Sequence, residues 1–170
     1  MHRGRRFALT FSAALALAST GYAEEALIGC GTTDLLHSNT SIKFVGANPL
    51  QAEVGDRRIL HWYLEDLTGL YVGSFDVVTT VMGGTSDMGH YVRVDGSFTL
   101  PNGNIFVATT TTLNDATDTM SSGNAQEVID WAVIGGTGDF SEASGVVSIV
   151  VPEKGVNHLE NRPITLSITC

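Results

Sequence analysis

From Ser41 onward the apolar positions of the chain recur at every second residue. Ile42 and Phe44 alternate with Ser41 and Lys43, the period of a strand with one buried face. Loop-forming residues follow at 47–50 and 54–56. The run 59–67 then places Leu60, Trp62 and Leu64 on one face and His61, Tyr63 and Glu65 on the other. Thr68-Gly69 turns the chain into 70–82, rich in Val, Thr, Tyr and Phe. Across 89–100, His90, Val92, Val94 and Phe98 face one way, and Tyr91, Arg93, Asp95 and Ser97 the other. Pro101-Asn102-Gly103 is a turn signal. The run 105–113 carries four consecutive threonines, whose branched side chains favour strand. Residues 114–124 are polar and without period, a candidate mouth loop. Two runs, 127–134 and 145–151, flank a turn dense in Gly135, Gly136 and Gly138, the signature of a hairpin with Phe140 as an apolar anchor past it. After a polar loop at 154–161, Ile164, Leu166 and Ile168 alternate cleanly with threonine and serine.

This pattern predicts about eight strands and no helix, hence an all-β antiparallel barrel or sandwich. A strand at the end of the chain and ends that can meet favour closure. An eight-stranded barrel has a lumen able to hold one small ligand. Residues 24–40 show no clear period and are expected to form an N-terminal arm ahead of a barrel domain spanning 41–170. The glycine turn does not suit a nucleotide. A phosphate loop needs a helix behind it, whereas Val146-Val147-Ser148-Ile149-Val150-Val151 favours strand.

The segment Gly135-Gly136-Thr137-Gly138-Asp139-Phe140, with Ala143 and Gly145, resembles the GGTGxFxxAxG turn of dirigent proteins and the similar turn of allene oxide cyclases. Leu70-Tyr71-Val72-Gly73-Ser74-Phe75, Asp95-Gly96-Ser97-Phe98 and Gly103-Asn104-Ile105-Phe106 resemble other strands of that family. The resemblance implies an eight-stranded antiparallel, calycin-like barrel that steers a reactive, largely apolar intermediate through cyclisation or coupling without a cofactor. It also implies assembly through the barrel walls as a homo-oligomer, a dimer or trimer. In dirigent proteins acidic residues and an arginine near the glycine turn line the pocket. Asp139 matches an acidic position there, but serines stand at 141 and 144, where arginines are common. The glutamate-bearing NExDRxSP-like segment of the cyclases has no counterpart.

Composition narrows the partners. The start of the chain, Met1-His2-Arg3-Gly4-Arg5-Arg6 and an apolar run over 7–18, has the form of a secretory signal peptide with cleavage after Ala23. Removing 1–23 takes away three arginines and no acid, so the net charge moves from −9 to −12. Such a surface repels nucleic acid and anionic membrane. The only cysteines, Cys30 and Cys170, stand near the two extremities of an exported chain. They suggest one disulfide, and dirigent proteins similarly tie their ends together. A second reading takes Leu27-Ile28-Gly29-Cys30 as a lipobox with Cys30 acylated, although Glu24 and Glu25 interrupt the apolar run. Asn39-Thr40-Ser41 is either a glycosylation sequon or an ordinary polar loop.

No metal-ligand spacing links His37, His61, His90 and His158, and no nucleophile elbow is present. What remains is a lumen mixing apolar and aromatic walls with a few ionisable groups. A desolvated carboxylate there would suit proton transfer. Asp76, Asp95, Asp130 and Asp139 are the candidates, with Tyr71, Phe75, Tyr91, Phe106, Trp131 and Phe140 as ligand-binding walls. Each acid has a structural alternative: Asp139 as a turn cap, Asp95 as a surface partner of Arg93. Two functions follow: a cyclase, isomerase or stereocontrolling coupling protein of secondary metabolism that needs no metal or cofactor, or a lipocalin-like module that binds a small hydrophobic molecule unchanged.

Overall fold

The computed structural model describes residues 28–46, 53–85, 89–113, 127–151 and 162–170. Eight antiparallel strands close into a barrel in chain order: β1 (Gly31–Val45), β2 (Arg57–Glu65), β3 (Tyr71–Thr85), β4 (Gly89–Leu100), β5 (Gly103–Leu113), β6 (Glu127–Gly136), β7 (Ser144–Val151) and β8 (Arg162–Thr169). This is the architecture that the dirigent and allene oxide cyclase resemblance implies. Strands β2 to β8 coincide with the runs of period two to within a few residues. The signal-peptide segment and the loops expected at 47–50, 114–124 and 154–161 lie outside the described residues.

β1 corrects the expected arm. It begins at Gly31 and pairs with β8 from Gly31↔Ile168 to His37↔Arg162, closing the barrel. Its inward positions include a polar histidine while Leu36 sits on the outer side, so the alternation that marks the other strands is muted. The sequon falls within this strand, at the irregularity between Asn39 and Ser41.

One end of the barrel is sealed. Here the β2–β3 turn is tied by Asp66, which accepts hydrogen bonds from the Thr68 hydroxyl at 2.6 Å and the Leu70 backbone N–H at 3.0 Å. The glycine segment runs through a 3-10 turn, Gly138–Phe140, whose Phe140 is wholly buried. Gly138 takes φ +62°, and any Cβ there would collide with the Asn102 carbonyl oxygen. The Asn102 amide in turn donates to the Ile28 carbonyl at 2.9 Å and to Asp139 at 3.1 Å. The Cys30–Cys170 disulfide, with Cα atoms 5.9 Å apart across a separation of 140 residues, joins the two ends of the described chain at this face. Such a bond is compatible with an extracellular setting.

The core fills the sealed half. Leu35, Leu64, Phe98, Ile105, Val147 and Leu166 are at most 1 % exposed. Phe75 and Phe98 stack with centroids 3.8 Å apart. Gly96 makes room for them: a Cβ there would lie 2.6 Å from the Phe75 ring.

Candidate functional site

Alternation within a closed barrel assigns each side chain to the lumen or to the outer wall. On β2, Arg58, Leu60, Trp62 and Leu64 share the inner face. Register carries that face to Phe75, Val77 and Thr79 on β3, and to Val94 and Phe98 on β4. It continues to Val107, Thr109 and Thr111 on β5, to Ile129, Trp131 and Val133 on β6, and to Val147 and Ile149 on β7. Ile164 on β8 pairs with Ile149, and Leu35 and His37 on β1 pair with Ile164 and Arg162.

Half-way along the lumen a layer of rings spans the barrel. His37 stacks on Trp62 at 4.5 Å between centroids and 26° between planes. Trp62 lies 6.5 Å from Trp131 and 5.2 Å from Phe75, and Phe75 lies 5.3 Å from Trp131. Both tryptophans of the chain therefore sit in this layer. Above it, toward the mouth, Val77, Thr79, Val94, Thr109 and Thr111 hold inward positions, with the Phe44 and His90 rings farther along. Arg58, Thr109, Thr111, Ile129 and Arg162 hold inward positions and stay partly accessible. β5 and β6 pair only over Ile105–Ala108 and Ala132–Gly136. Beyond that, among the described residues, Thr109–Leu113 have ladder partners on β4 alone and Glu127–Trp131 on β7 alone.

The electrostatics of this layer are unusual. The two ring nitrogens of His37, the indole N–H groups of Trp62 and Trp131, the Thr79 hydroxyl and His90 Nδ1 are buried and have no hydrogen-bond partner among the described residues. Buried polar atoms normally find partners, so these groups leave hydrogen-bonding capacity unmet inside the barrel. Burial, reinforced by the Arg162 charge, lowers the His37 pKa to about 4, so the imidazole is neutral at physiological pH.

The four candidate carboxylates are elsewhere, which corrects their expected placement in the lumen. Asp76 is on the outer wall, 2.7 Å from His61 Nδ1. Asp95 is gripped by Arg93 through contacts of 2.7 to 3.0 Å, a pair that raises the Arg93 pKa through hydrogen bonding and charge. Asp130 accepts the Ser148 hydroxyl on the outside at 2.6 Å. Asp139 is exposed on the 3-10 turn. Of the aromatic walls, Phe75 and Trp131 point into the lumen and Phe140 plugs the sealed end. Tyr71 and Tyr91 are exposed outside, Tyr71 edge-on to Tyr63 at 5.7 Å. Phe106 occupies the outer register opposite Ser97. Sequence reasoning missed His37, Trp62, Thr79, Arg58 and Arg162 as lumen residues. The phase Thr33–Leu35–His37, extended from the β8 pattern, was the available signal for the first.

Among the described residues no cluster of three or more His, Cys, Asp or Glu could hold a metal ion. No protein-family model and no curated protein sequence matches the chain. Solved structures do match in fold. A pyocyanin demethylase superposes with TM-score 0.60 at 20 % identity, over 81 % of this chain and 99 % of that one. The Diels-Alderase AbmU from Streptomyces koyangensis gives 0.61 at 18 % identity, over 79 % of this chain and 62 % of its own length. A pterocarpan synthase dirigent protein superposes more loosely, at 0.48 and 14 % identity, over 81 % of this chain and 83 % of that one.

Proposed function

We propose that the barrel takes a small, largely apolar molecule into the mouth half of its lumen and steers a cyclisation or coupling by holding one conformer away from water, without a cofactor. The observation that carries this reading is the ring layer. His37, Trp62, Phe75 and Trp131, 0 to 6 % exposed, form a close-packed aromatic layer that an unsaturated substrate entering from the mouth half would stack against. Their unpartnered nitrogens give it a fixed orientation. A reaction whose bonds form between carbons of a folded substrate draws its rate from proximity and exclusion of water. It requires no lumen carboxylate, so the outward aspartates do not oppose it. That a Diels-Alderase and a pyocyanin demethylase share the fold fits the reading as analogy. The same proposal places the protein outside the cytoplasm, with residues 1–23 as its signal peptide and the disulfide as its adaptation to an oxidising compartment.

The outward placement of all four aspartates favours a second reading, a carrier that releases its ligand unchanged. Both are tested by incubating the purified full chain with an organic extract of its source and recording native mass spectra. A discrete adduct lost in Trp131→Ala supports a lumen ligand. Conversion of an extract component to a ring-closed or coupled product marks a catalyst, and recovery of the same component unaltered marks a carrier. Neither an adduct nor any turnover of the extract would contradict both.

A further inference from the structure

The inward register of the described strands carries an unexpected charge. In a chain of net charge −9, Arg58 and Arg162 both lie on lumen-facing positions, Arg58 in register with buried Thr79 and Arg162 with buried His37. Two acidic residues stand on the inner phase at the mouth end: Glu127 on β6, opposite Val151, and buried Asp56 just ahead of β2, whose carboxylate accepts the Glu53 backbone N–H at 2.9 Å. Near the ring layer the polar groups are mostly hydrogen-bond donors. The indole nitrogens of Trp62 and Trp131 can only donate, and the Thr79 hydroxyl can do so. A guanidinium carries five N–H groups in a fixed fork, so an arginine already engaged within the protein can still offer a donor to a ligand.

We infer that the lumen selects a ligand with an anionic or strongly electron-rich oxygen, a carboxylate or an enolate- or phenolate-like group, attached to an apolar unsaturated body. The body rests on Trp62 and Trp131, and the oxygen meets Arg162 beside His37. Arg162 is the arginine at the right depth: its β1 partner is His37, the residue stacked on Trp62. Arg58, farther along β2 toward the mouth, draws the anion in. In a low-dielectric lumen such a charge-assisted bidentate contact outweighs the same contact in water. A cation in the same pose meets Arg162 with like charge and gains nothing from the indole N–H groups.

This inference rests on the lumen being the ligand site, and the experiment separates the two. Isothermal titration of the full chain is run with three probes of one ring size at pH 7.5: 2-naphthoate, neutral 2-naphthamide and 2-naphthylmethylammonium. The expected result is one molecule of naphthoate bound per chain, at least tenfold tighter than the ammonium probe. Arg162→Gln is expected to weaken naphthoate tenfold or more and naphthamide less than twofold, while Arg162→Lys keeps most of the naphthoate affinity. Circular dichroism identifies any variant that has lost the barrel, in which case Arg58→Gln replaces it, with a smaller loss expected. Equal binding of the three probes, or equal weakening of naphthoate and naphthamide by Arg162→Gln, overturns the anion preference and leaves the lumen site standing. Binding of none overturns both.

Discussion

His37 lies face to face with Trp62, ring centroids 4.5 Å apart, in the middle of the barrel. The contact makes a titratable group part of the core, and its stability becomes pH-dependent. The folded pKa, about 4, is below the unfolded value near 6.5 because burial and Arg162 both disfavour the imidazolium. The unfolded chain therefore takes up the proton first as pH falls. The contribution of His37 is complete above about pH 6.5 and is lost as pH drops toward 4, by on the order of 3 kcal/mol. Urea midpoints at pH 7.5 and 4.5 test this. His37→Phe, which keeps a ring against Trp62, is expected to flatten the difference between them. An unchanged difference would show that other groups carry it.

The glycines that shape the barrel predict graded losses. Gly138→Ala puts a Cβ against the Asn102 carbonyl at φ +62°, and a cost of about 1–3 kcal/mol is expected. Gly96→Ala forces a methyl to 2.6 Å from the Phe75 ring and 3.0 Å from Val107. Overpacking of this kind costs about 1–3 kcal/mol, and it acts next to the ring layer. Thermal unfolding measures both, and only Gly96→Ala is expected to weaken ligand binding as well.

Reduction of Cys30–Cys170 frees the ends of a barrel closed by β1 against β8. A loss of about 2–5 kcal/mol is expected. Matching urea unfolding curves for the oxidised protein and for Cys30→Ser/Cys170→Ser would contradict it.

Most of this fold was legible because one face of each strand is apolar. In β4, His90, Val92, Val94 and Phe98 announce the lumen side directly, and the structure buries all four. The site was harder to read where both faces carry apolar residues. In β6, Val128 and Ile134 are apolar but exposed, so parity around Asp130 and Trp131 is ambiguous until register with β7 settles it. Tyr71 stands between Leu70 and Val72 with the same ambiguity. His37 was hidden for the opposite reason, a polar residue on an inward position in a strand with few apolar neighbours. The glycine turn identified its own geometry through the φ that Gly138 needs. It could not reveal that the aspartate beside it faces solvent.

Because they face outward, the four aspartates are expected to be dispensable for lumen binding. Asp76→Asn, Asp95→Asn, Asp130→Asn and Asp139→Asn should each leave naphthoate affinity within about twofold and stability within roughly 1 kcal/mol, the range of surface substitutions and exposed pairs. A tenfold loss of affinity in any one of them, with the fold intact, would return that carboxylate to the site.

The central claim, that the mouth half of the lumen is the ligand site, is tested most directly by a crystal structure of the protein with 2-naphthoate or a molecule captured from its source. Density is expected over Trp62 and Trp131, with the ligand oxygen toward Arg162 and His37. Density confined to the outer wall, or a lumen filled by side chains with the ligand elsewhere, would contradict it.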